Sequence, residues 1–183
     1  MSKLRFLTVF LIAFGLLLGL WTRVDAGAWH RRAILGIASA VGPAVHGWLL
    51  VLPAQPDKHP QWVHNNVTVD LRIQFDALAV GLVPLWALFI ATPGMSPRRR
   101  LRGLLLASLG CVLIDAAIVI WFPLLVHHEN AFTDIGGTFL GLIGFVGAPV
   151  ILWFACSWTE LRRWLPSLRE APTDAARMSR LQP

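Results

Sequence analysis

The chain has 183 residues, 56% of them hydrophobic and 14% charged, with a mean hydropathy of +0.62, well to the apolar side of a water-soluble domain. Its formal charge is +6, yet the bases fall in short clusters beside apolar runs: Lys3 and Arg5, Arg31 and Arg32, Arg98 to Arg100 with Arg102, and Arg162 with Arg163. That distribution is the one topology determinants take, and without a basic face interleaved with exposed aromatics it excludes nucleic acid as a partner.

The expected fold is an all-α, polytopic transmembrane bundle of four to five spanning helices in one domain, 1–158, followed by a basic cytoplasmic tail, 159–183, that ends in disorder. Residues 4–21 form the first apolar run. Small residues around Val24, Ala26 and Ala28 allow a signal-peptide reading, but the run is longer than a signal core and ends in Trp and Arg, which favours an uncleaved helix. Gly15 and Gly19 make a small-xxx-small pair suited to close approach by another helix. A weaker segment follows at 33–53, interrupted by Gly42, Pro43 and His46, and it either spans or lies in the interface.

Residues 54–74 are the one substantial polar stretch. Within WVHNNVTVDLRIQ, Val63, Val67, Val69, Leu71 and Ile73 alternate with polar residues about the turn-forming pair Asn65–Asn66, which predicts a short hairpin or extended segment at the membrane surface. Spanning helices are then expected at 75–92, 101–126 and 135–158, the first two joined by the basic turn PGMSPRRRLR. In the last, Gly137, Gly141 and Gly144 recur at four and three residues and line one packing stripe. Trp21, Trp48, Trp62, Trp121 and Trp158 stand near helix ends, where interfacial anchors belong; Trp86 and Trp153 lie deeper and read as packing.

Arg98, Arg99, Arg100 and Arg102 fix the topology, holding 93–100 and the C-terminus on the cytoplasmic face of a bacterial inner membrane. If both early segments span, the N-terminus lies outside; if the Pro43 segment stays on the surface, it lies inside. In both arrangements 54–74, Asp76 and 127–134 are extracytoplasmic.

The polar groups divide into bland and chemical readings. Asp115, inside an apolar helix with Cys111 one turn away, must face the bundle interior, be paired, or be protonated; it is either a structural hydrogen-bonding group or a proton-carrying or substrate-facing acid. Asp76 caps a helix start or serves a site. His127 and His128 end a helix, where cations are favoured, and adjacent imidazoles point about 100° apart. A metal site from His127, His128, Glu129, Asp134 and His64 lacks ligand spacing typical of zinc, so neither a metal nor any other cofactor is expected. Cys111 and Cys156 lie in apolar runs and read as packing residues.

The order of VTVDLRIQ leading into a helix, the turn PRRRLRG, a long helix and a His before the next helix resembles, over roughly Val67 to Trp153, the second half of the exosortase and archaeosortase family. Those are membrane cysteine transpeptidase-like enzymes acting on proteins with a C-terminal sorting helix. Where the family places its nucleophilic Cys this chain has Phe75, Asp76 and Ala77, and its long helix lacks the family's Arg. Only His127 or His128 could match the family's His. The resemblance therefore implies a non-catalytic accessory protein whose partners are the lipid bilayer and another membrane protein, either an exosortase-like enzyme or the sorting helix of its substrate. The alternative is an intramembrane enzyme or ion-coupled carrier using Asp76, Asp115, His127 and His128.

Overall fold

The computed structural model describes residues 3–53, 59–71, 81–127 and 147–164. Among them are five helices and one small sheet: α1 (Lys3–Arg23), α2 (Ala26–His46), β1 (Leu49–Val51), β2 (Gln61–His64), β3 (Val67–Asp70), α3 (Leu82–Ala91), α4 (Pro97–His127) and α5 (Ala148–Trp164).

Two helices, Leu4–Arg23 and Pro97–Val126, are long and apolar enough to cross a membrane. The expectation of four to five such helices is corrected accordingly for the described residues. α2 starts at Ala26 rather than residue 33 and carries His30, Arg31, Arg32 and His46, so its composition fails the test. It stops at Gly47, whose φ of 74° only glycine adopts freely, and the chain then turns extended as β1 where the helix was expected to run on to 53. α3 is described over ten residues, and α5 over seventeen, reaching Trp164, six residues beyond the expected end. α4 is 31 residues long and contains the whole RRRLR cluster in its first two turns.

The helices are arranged about α4. α3 runs antiparallel to it from the Pro93–Gly94 turn, with Trp86 Nε1 donating to Ser108 Oγ at 2.8 Å. α5 is antiparallel on another face: Arg99 meets Thr159 and Glu160 at one end, and Leu152 lies against Gly110 further along. α1 packs chiefly on α3 and runs parallel to α4. Its start lies beside the end of α5, with the Phe6 and Trp164 rings 5.3 Å apart, and its end brings Trp21 to 5.7 Å from Trp86. Arg5, Arg98 to Arg100, Arg102, Arg162 and Arg163 thus gather at one basic pole.

α2 and the sheet cap the far half of α4. His30 reaches Asp115 and His46 reaches Ile120. The two histidines are 16 residues apart, roughly 24 Å of helix, while their partners are five apart, roughly 7.5 Å, so α2 crosses α4 obliquely. Its buried stripe, Gly27, His30, Ile34, Ala38 and Gly42, follows the i, i+3, i+4 spacing of one helix face.

The sheet is antiparallel in the order β1-β2-β3. Asn65 and Asn66 take φ of 47° and 67°, the two positive values that a two-residue type I′ hairpin turn requires. This register pairs Trp62 with Val69 and sets Val63 opposite Thr68. Trp62, Val69 and Leu71 face the core, and Val63 leaves it, contrary to the alternation read in sequence. Trp62, fully buried, and Trp21 and Trp48, nearly so, are core residues rather than interfacial anchors, whereas Trp121 and Trp158 remain exposed.

Candidate functional site

Asp115 is 3% exposed and His30 5%, and His30 Nε2 lies 2.9 Å from Asp115 Oδ2. With Nε2–H donating to the carboxylate, the acid is paired and turned inward, as its position in an apolar helix demanded. His30 reaches it because α2 begins directly after Asp25, which takes a left-handed φ of 47° between α1 and α2 and so sets the direction of α2 onto α4. The pair ties the start of α2 to the middle of α4. Neither group offers an exposed surface to a substrate. Cys111, one turn before Asp115, is buried in an apolar cluster with Trp21, Leu82 and Leu85.

A second polar network lies one to two turns further along α4 and has its origin in Pro123. A proline inside a helix removes the N–H that would bond the carbonyl four residues earlier, here that of Val119. Trp62 Nε1 donates to that carbonyl at 3.2 Å. The neighbouring carbonyl of Ile120 accepts from His46 Nε2 at 2.9 Å. His46 Nε2 is thereby a donor and Nδ1 an acceptor, and Nδ1 takes the Trp48 backbone N–H at 3.1 Å. His64 makes the complementary choice: Nδ1 donates to the Gly47 carbonyl at 3.1 Å, and Nε2 accepts from Asn65 Nδ2 at 2.9 Å. The rings interleave, His46 edge-on to Trp62 at 5.1 Å and Trp48 stacked on His64 at 5.4 Å. Burial, with a smaller contribution from nearby His64, holds the His46 imidazole below its ordinary value, against the opposing effect of the Ile120 carbonyl.

His46 and His64 each use both ring nitrogens in hydrogen bonds. No group of three or more His, Cys, Asp or Glu side chains that could hold a metal exists among the described residues. The network joins sheet, α2 and α4; it offers no nucleophile or open ligand position.

Of the residues singled out in sequence, Asp115 is placed and paired. His127 closes α4, and its side chain lies outside what is described. Asp76, His128, Glu129, Asp134, Gly137, Gly141 and Gly144 fall outside the described residues. Gly15 and Gly19 sit on α1 with nothing within 4 Å of where an added methyl would stand, so among the described residues they pack against no other helix. Arg99 pairs with Glu160 at 2.8 Å and Arg100 donates to the Thr92 carbonyl at 3.1 Å. These two bases therefore hold α3, α4 and α5 together, beyond any part they have in topology. Sequence reasoning misses His30; the signal that could have found it is the stripe it starts with Ile34, Ala38 and Gly42.

No family model, curated protein or solved structure matches the chain.

Proposed function

We propose that this is a non-catalytic, multi-pass protein of a bacterial inner membrane that binds another membrane protein through the outward face of α1. The observation carrying this reading is the state of that face. Leu4, Leu7, Leu11, Ile12, Leu16 and Leu20 are all at least half exposed, and Gly15 and Gly19 leave a shallow place among them for a second helix. The arrangement of VTVDLRIQ, PRRRLRG and the long α4 makes an exosortase-type sorting system the partner system of choice, with the enzyme or its substrate's sorting helix as the bound helix.

Co-expression with an exosortase-type enzyme tests the reading. The two proteins are expected to co-purify, to separate when Gly15 and Gly19 are both changed to Leu, and to stay together after Asp115→Asn. Co-purification indifferent to both glycine changes, or no co-purification at all, overturns it. A reporter fused after Arg102 is expected on the cytoplasmic side.

A second reading, an ion-coupled carrier, is favoured by the buried His30–Asp115 hydrogen bond, since such a pair can hold a proton away from water. It requires that Asp115→Asn abolish uptake in vesicles while the protein still inserts.

A further inference from the structure

The chain passes from α2 to β1 through His46, Gly47 and Trp48, and two imidazoles hold that turn. His46 Nε2 meets the Ile120 carbonyl, which can only accept, so Nε2 carries the proton of the neutral ring and Nδ1 accepts the Trp48 backbone N–H at 3.1 Å. On the other side, His64 Nδ1 donates to the Gly47 carbonyl at 3.1 Å. Gly47 stands between them at a φ of 74°.

The two rings differ in how they receive a further proton. His64 takes one without losing a hydrogen bond. Its Nε2 faces the Asn65 side-chain amide at 2.9 Å, and a half-turn of that amide replaces the Nδ2 donor with the Oδ1 acceptor, while Nδ1 goes on donating to Gly47. His46 has no such recourse. A proton on its Nδ1 sets one N–H against another, and a backbone N–H does not turn into an acceptor. The Ile120 carbonyl holds the cationic ring more firmly than the neutral one, so the ring stays on α4 and the backbone at Trp48 yields.

Among the described residues, His64 is the titratable group that faces His46 from the sheet. β1 has none, and Asp70 on β3 accepts from Gln61 at the end of the sheet away from His64. α4 has none between Asp115, which His30 holds, and His127 at its end. His30, Arg31 and Arg32 stand near the opposite end of α2. Burial and a charged His64 both oppose protonation of His46, so His64 takes its proton first.

We propose that the His46–Gly47–Trp48 turn is an acid-operated latch: after His64 is charged, a proton taken from water by His46 Nδ1 unfastens β1 from the end of α2. The opening reaches α4, because β1 pairs with the strand that carries Trp62, the donor to the Val119 carbonyl left free by Pro123. The closed latch disfavours the proton and the open one accepts it, so the open form gains population as pH falls.

Hydrogen exchange of the full chain in mild detergent reads the latch through peptides covering Trp48 to Val51, at about pH 7.5 and about pH 5, corrected for the intrinsic pH dependence of exchange. Protection there is expected to fall by about threefold to 30-fold at the lower pH, the ceiling being set by the roughly 1.5 pH units between it and the ordinary 6.5 of an imidazole. α4 around Ser108 is expected to keep its protection. His46→Gln, whose amide donates to Ile120 and accepts from Trp48 but takes no proton, should stay protected at both pH values. His64→Gln removes the neighbouring cation and should move the midpoint of release to higher pH. A fall of less than threefold in the unaltered chain overturns the proposal, as does an equal fall in α4, which is global unfolding, or a fall that persists in His46→Gln. A midpoint that does not rise in His64→Gln overturns the order of protonation. The first two comparisons need no variant, so a variant that fails to fold leaves them decisive.

Discussion

If Trp62 supplies the hydrogen bond that Pro123 denies to α4, then the two residues are energetically coupled although 61 positions separate them in sequence. Changing Trp62 to Phe removes the indole N–H and leaves the Val119 carbonyl buried without a donor. An unsatisfied buried acceptor costs about 1–3 kcal/mol, and the smaller ring adds a packing loss at a fully buried site. In a Pro123→Ala background the new backbone N–H at 123 can bond the same carbonyl, as in any regular helix turn. The packing loss remains, but the unsatisfied carbonyl does not. The Trp62→Phe penalty is therefore expected to be smaller by about 1 kcal/mol when Pro123 is Ala, a coupling well inside the range seen for residues that share one network. Equilibrium unfolding of the four proteins by a denaturing detergent, followed by circular dichroism, measures the cycle. Penalties equal within about 0.5 kcal/mol in the two backgrounds would refute the reasoning, because additivity of that quality marks independent sites.

Three further outcomes rest on the same contacts. Asp115→Ala leaves His30 buried and unpaired and is expected to destabilise by about 1–3 kcal/mol in the same assay, whereas His30→Leu with Asp115→Leu together should cost less. Gly42→Ala drives its methyl into the Trp62 ring and should cost about 1–3 kcal/mol; Gly15→Ala, with open space around it, should not destabilise. For His46 the folded state holds the ring below its ordinary 6.5, so the unfolded chain binds the proton more readily. Stability is then fully present above that ordinary value and declines as pH falls from it toward the depressed one, and His46→Gln should flatten that slope in unfolding curves taken between about pH 5 and 8.

The parts of this fold that can be read in sequence are those decided locally or by a large single cost. Asn65–Asn66 between β-branched residues specifies the hairpin turn because left-handed backbone at two successive residues selects Asn and Gly. The inward orientation of Asp115 follows from the cost of a carboxylate in an apolar surrounding. His30 escapes because Arg31 and Arg32 look like the end of a loop, while α2 in fact begins five residues before them and carries both arginines on its exposed side. Trp62 reads as an interfacial ring because its sequence neighbours are polar. Its partner is a carbonyl released by a proline 61 residues later, which no local pattern encodes. β1 reads as the end of a helix since Trp48 to Val51 continue the apolar run; only the left-handed Gly47 separates them.

The packing of α1 has a consequence for how the protein is made. Its principal neighbour is α3, not the α2 that follows it at once. About 60 residues separate Arg23 from Leu82, so at the usual pace of a ribosome, roughly 5–20 residues per second, α1 waits some 3–12 seconds for that neighbour to be synthesised. Throughout that interval both of its sides are open to whatever other polypeptide is close by, and a companion helix has its best opportunity to bind before the chain has finished its own assembly.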